Sequence, residues 1–160
     1  MAALVIHELG HLAAAKILGV PLVRFRLSPM GGVMSFDFSH STYGREAAVH
    51  LAGPLAGILS AAVGWFVLRD FFFTGISVTL ACVNLLPVIG LDGGGMLSCL
   101  LNRFLTPERA WRISKICSVG GILLLWTAVL WIELRVTANM GLLAFAVFLL
   151  LNQTKRPEDP

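Results

Sequence analysis

The apolar residues of this chain fall into long blocks, and the breaks between blocks carry much of its glycine, proline and charge. The first block, Ala2 to Val20, ends at Gly19 and Pro21, a glycine and then a proline that stop a helix, so the pattern predicts a helix over 2–19. The pattern then changes period. In Val23-Arg24-Phe25-Arg26-Leu27-Ser28 apolar and polar residues alternate as in a strand with one buried face. Pro29-Met30-Gly31-Gly32 supplies a turn and Val33 to Phe38 a second strand, which predicts a β-hairpin over 22–39. Its apolar content suits a hairpin that lies at the bilayer surface or against the helices; a plain surface hairpin has the same alternation.

Longer periodic blocks follow. A helix is predicted over 45–68, with Gly53, Gly57, Ala61 and Gly64 along one side, where another helix can approach closely. Pro54 in its first half tilts or kinks it. The next helix, 71–90, is broken by Pro87 and by glycines at 90, 93, 94 and 95. A membrane segment broken in this way must satisfy its freed backbone groups elsewhere, normally by lining a site. A short helix over 96–105 comes next. Thr106-Pro107-Glu108 then opens a helix over 107–132, with proline at its first position. A final span is predicted over 136–151, and 152–160 reads as a polar, mobile cytoplasmic tail.

Composition turns these blocks into membrane spans. Across 160 residues the chain is 57% hydrophobic and only 13% charged, with a mean hydropathy of +0.83, which excludes an ordinary soluble domain. The expected fold is an all-α polytopic membrane protein. It has about five transmembrane helices in one bundle, a short membrane-associated β-hairpin after the first helix, and a single domain over 1–151. The net charge of +3 is clustered: Arg24, Arg26 and Arg45, then Arg103, Arg109, Arg112 and Lys115, then Lys155 and Arg156. Basic loops stay cytoplasmic, so the hairpin, the segment 96–115 and the C-terminus are placed inside, and nucleic acid is not an expected partner. The first helix then runs inward. From His11 to Gly19 it covers about 12 Å, and the residues before His7 span only about 9 Å of the outer bilayer. An upstream segment, the rest of this helix and another span, is therefore expected. Cys82, Cys99 and Cys117 lie in or beside apolar stretches without metal-ligand spacing and read as buried free thiols.

The chemistry is concentrated in His7-Glu8-Leu9-Gly10-His11. On a helix, four residues turn the chain through about 400°, so both imidazoles stack on one face with Glu8 between them in projection. Such a pair can bind one zinc ion, and the carboxylate beside it can take a proton from water held there. The plainer alternative is a pair of buried histidines hydrogen-bonded to a neighbouring helix. A catalytic zinc needs a third protein ligand. His40, His50, Asp37 and Asp92 are the candidates. Asp92 is favoured because a carboxylate ending an apolar span is costly without a partner. His50 is second choice, and Asp37 and His40 read as solvated loop residues.

His7-Glu8-Leu9-Gly10-His11, with Asn84-x-x-Pro87-x-x-x-x-Asp92-Gly93, resembles the site-2 protease family of intramembrane zinc metalloproteases, peptidase M50. Leu27-Ser-Pro-Met-Gly-Gly-Val33 and Ala52-Gly53-Pro54 look like its bacterial sporulation branch, that of stage IV sporulation protein FB. The resemblance implies Zn2+ held by His7, His11 and Asp92, and Glu8 as general base. It further implies that Asn84 holds the substrate carbonyl or oxyanion, with Pro87 and Gly93, and Gly53 and Pro54, shaping the site. It implies a multi-pass protein of the bacterial cytoplasmic membrane that cuts a membrane-tethered protein, in this branch a sigma factor precursor, under the control of membrane inhibitor proteins. The competing reading is an inactive membrane scaffold or regulator of the same fold. An intact Glu8 argues against it, because a binding module has no use for the base.

Overall fold

A computed structural model describes residues 2–28, 31–135 and 147. Helix α1 covers Ala2–Leu18. It stops where the sequence places a stop: Gly19 takes the left-handed conformation at φ 69°, and the Val20 N–H reaches back to the Ala15 carbonyl at 2.8 Å, after which Pro21 cannot continue the helix. Strands β1 (Leu22–Ser28) and β2 (Gly31–Phe36) pair antiparallel, with Leu22 opposite Phe36 and an irregularity between Leu22 and Arg24. Pro29 and Met30, in the expected turn, lie outside the described residues.

Helix α2 (Tyr43–Val63) is opened by Thr42, whose side chain accepts from the Arg45 N–H. It runs on through a π-helical turn, Gly64–Leu68, that ends at Arg69 in the left-handed region. Helix α3 (Phe71–Asn84) is capped by Asp70, which accepts from the Phe73 N–H at 2.9 Å. It ends at Asn84, short of the expected residue 90. Leu85 to Leu91 instead form tight turns, with the Val88 N–H on the Leu86 carbonyl at 2.7 Å and Gly90 at φ 97°. Helix α4 (Asp92–Phe104) starts before the expected residue 96, so Gly93, Gly94 and Gly95 form its first turn. Helix α5 covers Pro107–Arg135. The expected span over 136–151 falls, Val147 apart, outside the described residues, as does the tail over 152–160.

Helix α2 is the central element, packed against α1, α3 and α4. Small residues allow this. A Cβ on Gly10 of α1 would lie 2.6 Å from the Ala52 carbonyl oxygen of α2, so only glycine permits the observed approach. Val88, in the broken segment, packs with Ile122, Leu125 and Val129 of α5. There the Ile89 N–H, freed by the break, donates to Ser118 Oγ at 2.8 Å, which is how a non-helical stretch survives among apolar helices. A second cluster of Ala15, Val20 and Val49, with Phe36 and Phe38 against it, holds the end of the hairpin on α1 and α2. Among the described residues two helices, Tyr43–Leu68 and Pro107–Trp131, are long and apolar enough to cross a membrane. Their outer faces expose Ile58, Leu59, Trp65 and Phe66, and Ile116, Leu123 and Leu124, a surface suited to lipid rather than water.

Candidate active site

Helix α1 presents His7 and His11 one turn apart and buried, at 4% and 7% exposure. Asp92 reaches them from the start of α4. His7 Nε2 and His11 Nε2 are 3.2 Å apart, and Asp92 Oδ2 lies 3.1 Å from the first and 3.2 Å from the second. The three atoms thus form a nearly equilateral triangle. An ion held at about 2.0–2.1 Å in tetrahedral geometry spaces its donors about 3.3 Å apart, so this set fits zinc closely.

The surroundings agree with that use. His11 Nδ1 donates to the Val49 carbonyl at 2.8 Å, which places the ring proton on Nδ1 and leaves the Nε2 lone pair pointing inward. Asp92 Oδ2 is buried without a hydrogen-bond partner among the described residues, a costly state that a bound cation relieves. Gly53 lies directly beneath His11. A Cβ there would stand 2.5 Å from His11 Cε1, 2.7 Å from Cδ2, and closer still to Nε2. Pro54 is fully buried beside it.

These groups open into a cavity of about 470 Å³ lined by Glu8, Asn84, His50 and Asp92, and by Met34, Ser35, Phe36 and Phe38 from β2 and the loop after it. Glu8 therefore shares the cavity with the histidine–aspartate triangle. Asn84 ends α3 at the cavity wall, with its Nδ2 donating to the Leu80 carbonyl at 3.0 Å. Pro87 lies in the turn that follows, against Gly121 of α5. Gly93 abuts the Leu85 and Leu86 carbonyls so closely that no side chain fits. This contact draws the broken segment onto α4 and aims Asp92 inward.

Of the other sequence candidates, Asp37 and His40 stand in the loop before α2. The hydroxyl and backbone N–H of Ser39 both donate to Asp37 and hold its carboxyl below the usual carboxylate range. Asp37 is thereby satisfied locally and does not line the cavity that holds His7 and His11. His50 is nearer: its Nδ1 is 3.6 Å from Asp92 Oδ1, on the side away from the triangle, and its ring lies against Phe38. Sequence reasoning did not find the Val49 carbonyl, since a backbone acceptor leaves no mark in residue type. Met34, Ser35, Phe36 and Phe38 bring the end of the hairpin to the cavity, a contact between separate elements that residue type does not specify.

Comparison with known proteins follows the same lines. Residues 1–73 match the model of peptidase family M50. Stage IV sporulation protein FB of Bacillus subtilis is 32% identical over 154 residues, which cover 90% of this chain and 54% of that protein. A zinc metalloprotease of Methanocaldococcus jannaschii is 31% identical over 111 residues, 62% of this chain and 32% of that protein. The chain thus spans about half, or less, of the length of these relatives. The solved structure of a site-2 protease from Methanocaldococcus jannaschii superposes with a TM-score of 0.71 at 24% identity, covering 99% of this chain and 77% of that one, and has the same fold.

Proposed function

The chain belongs to peptidase family M50, and from that premise we propose that it is an intramembrane zinc metalloprotease that hydrolyses a peptide bond in or near the transmembrane segment of a tethered protein. The observation that carries this reading is the convergence of His7 Nε2, His11 Nε2 and Asp92 Oδ2 within 3.2 Å of one another, in a cavity shared with Glu8. His7, His11 and Asp92 would hold the zinc. When bound, the ion acidifies water and polarises the scissile carbonyl.

The chain's own residues do the rest. Glu8 accepts a proton from the attacking water and returns it to the leaving amine. Asn84, at the cavity wall, offers an amide donor to the oxyanion. The peptide must be extended to be cut, because a helical peptide bond is shielded by its own hydrogen bonds. Strand β2 lies at the cavity through Met34, Ser35 and Phe36, and an extended segment can add to its edge through main-chain pairing. Pro87, Gly93, Gly53 and Pro54 shape the site without touching the reaction.

Among the described residues the bundle reads as four spans, α1, the two long apolar helices, and α3 with the broken segment; the fifth expected span, over 136–151, lies outside them apart from Val147. Clustered arginines place the hairpin and C-terminus on the cytoplasmic side of a bacterial membrane. By likeness to the sporulation relative, a membrane-tethered sigma factor precursor is the first substrate to try, with membrane inhibitor proteins as regulators. The test is co-expression with single-span substrates and sequencing of the new N-terminus. Glu8→Gln should keep its zinc and produce no cut. Cleavage at the parent rate by that variant would remove Glu8 from the base's role, and unchanged zinc binding after Asp92→Ala would favour a scaffold with a bystander aspartate.

A further inference from the structure

Next to the histidine–aspartate triangle, and sharing no residue with it, stands a second set of ligating side chains. Glu46 and His50 lie one turn apart on α2 and face Cys99 of α4, with one donor atom from each all within 4.8 Å of one another. Cys99 is buried at 2% exposure. The arrangement depends on a glycine: a Cβ on Gly95, one turn before Cys99, would stand 2.6 Å from both Cε1 and Nε2 of His50. The imidazole therefore rests on the α4 backbone where only glycine admits it, one helical turn from the thiol. Nothing in the proposed proteolytic chemistry uses Glu46 or Cys99.

We propose that Glu46, His50 and Cys99 form a second metal site, selective for soft divalent cations of the zinc and cadmium class. The donor set, one thiolate, one imidazole and one carboxylate, suits those ions and disfavours calcium and magnesium, which prefer oxygen alone. A bound ion at about 2.0–2.3 Å from each donor in tetrahedral geometry draws the three to about 3.3–3.6 Å from one another. This asks for up to about 1.5 Å of closure by side-chain rotation from their present spacing. On binding, the Cys99 thiol releases its proton to solvent and the sulfur bonds the metal, with no change of oxidation state. Three protein donors leave a further position for water. His50 also lies 3.6 Å from Asp92, so a single ring adjoins both sites.

The test is a cadmium titration of the metal-stripped full chain in detergent micelles, read by bound metal per chain and by the ultraviolet charge-transfer band of a cadmium–thiolate bond. The parent should take up two cadmium ions and show the band. Cys99→Ser should take up one and show none, while the Cys82→Ser/Cys117→Ser double variant should behave as the parent. Glu46→Gln leaves the thiol in place and should weaken the second equivalent by about tenfold or more. His7→Ala should lose one equivalent and keep the band, so failure at the first site is distinguishable from failure here. A single equivalent in the parent without a band, or a band that survives Cys99→Ser, overturns the second site.

Discussion

Gly53→Ala should remove zinc from the protein while leaving its helices intact. The new methyl would be built 2.5 Å from His11 Cε1 and 2.7 Å from Cδ2, against an ordinary carbon–carbon contact of about 3.5 Å. Relief requires the imidazole, or the whole face of α1, to retreat by about 1 Å. Metal–ligand distances tolerate only about 0.2 Å, so the retreat takes Nε2 out of reach. It also stretches the 2.8 Å bond from His11 Nδ1 to the Val49 carbonyl, a loss of about 1 kcal/mol, on top of about 1–3 kcal/mol for overpacking. Zinc affinity should fall by about 100-fold or more, the upper end of what a misplaced supporting group costs. Gly57→Ala is the matched control: it makes the same chemical change one turn later on the same helix, where the methyl meets Ala81 Cβ at an ordinary 3.4 Å. The assay is zinc per chain by elemental mass spectrometry after dialysis against a graded chelator series, with circular dichroism to report helix content. Parent-like zinc retention in Gly53→Ala would refute the reasoning, as would equal losses in both variants, which would trace the effect to general packing of α2.

Other outcomes follow from the same geometry. Gly10→Ala sets a methyl 2.6 Å from the Ala52 carbonyl oxygen and 2.7 Å from Ala56 Cβ, so it should separate α1 from α2 and destabilise the fold by about 1–3 kcal/mol, seen as a lower thermal midpoint in micelles. Asn84→Ala should keep zinc but lower turnover by about 10²–10³-fold, as expected when an oxyanion donor is lost; a change in KM alone would assign it to substrate binding instead. Ser118→Ala removes the hydroxyl that accepts from the Ile89 N–H and should cost about 1 kcal/mol, with faster hydrogen exchange confined to residues 85–91.

Much of this protein is local in origin and could be read from residue order. The pairing of His7 and His11 follows from helical pitch alone, whatever surrounds the helix. The stop at Gly19-Val20-Pro21, the alternation in β1 and the interruption by Pro87 and Gly90 are likewise properties of a few adjacent residues acting on their own backbone, although α3 ends earlier still, at Asn84. Long apolar blocks in a chain only 13% charged favour lipid as the solvent. What residue order could not decide is which distant groups meet. Residue order left four candidates for a third donor and favoured Asp92; that its carboxyl meets His7 and His11 depends on α4 beginning at Asp92 rather than residue 96, with Gly93 pressed against the Leu85 and Leu86 carbonyls. The Val49 carbonyl, the space that Gly53 leaves under His11 and the meeting of Glu46, His50 and Cys99 are likewise products of helix packing. Contacts between separate elements depend on interaxial distance and rotation, which the summed packing of the bundle sets and no short stretch of chain encodes.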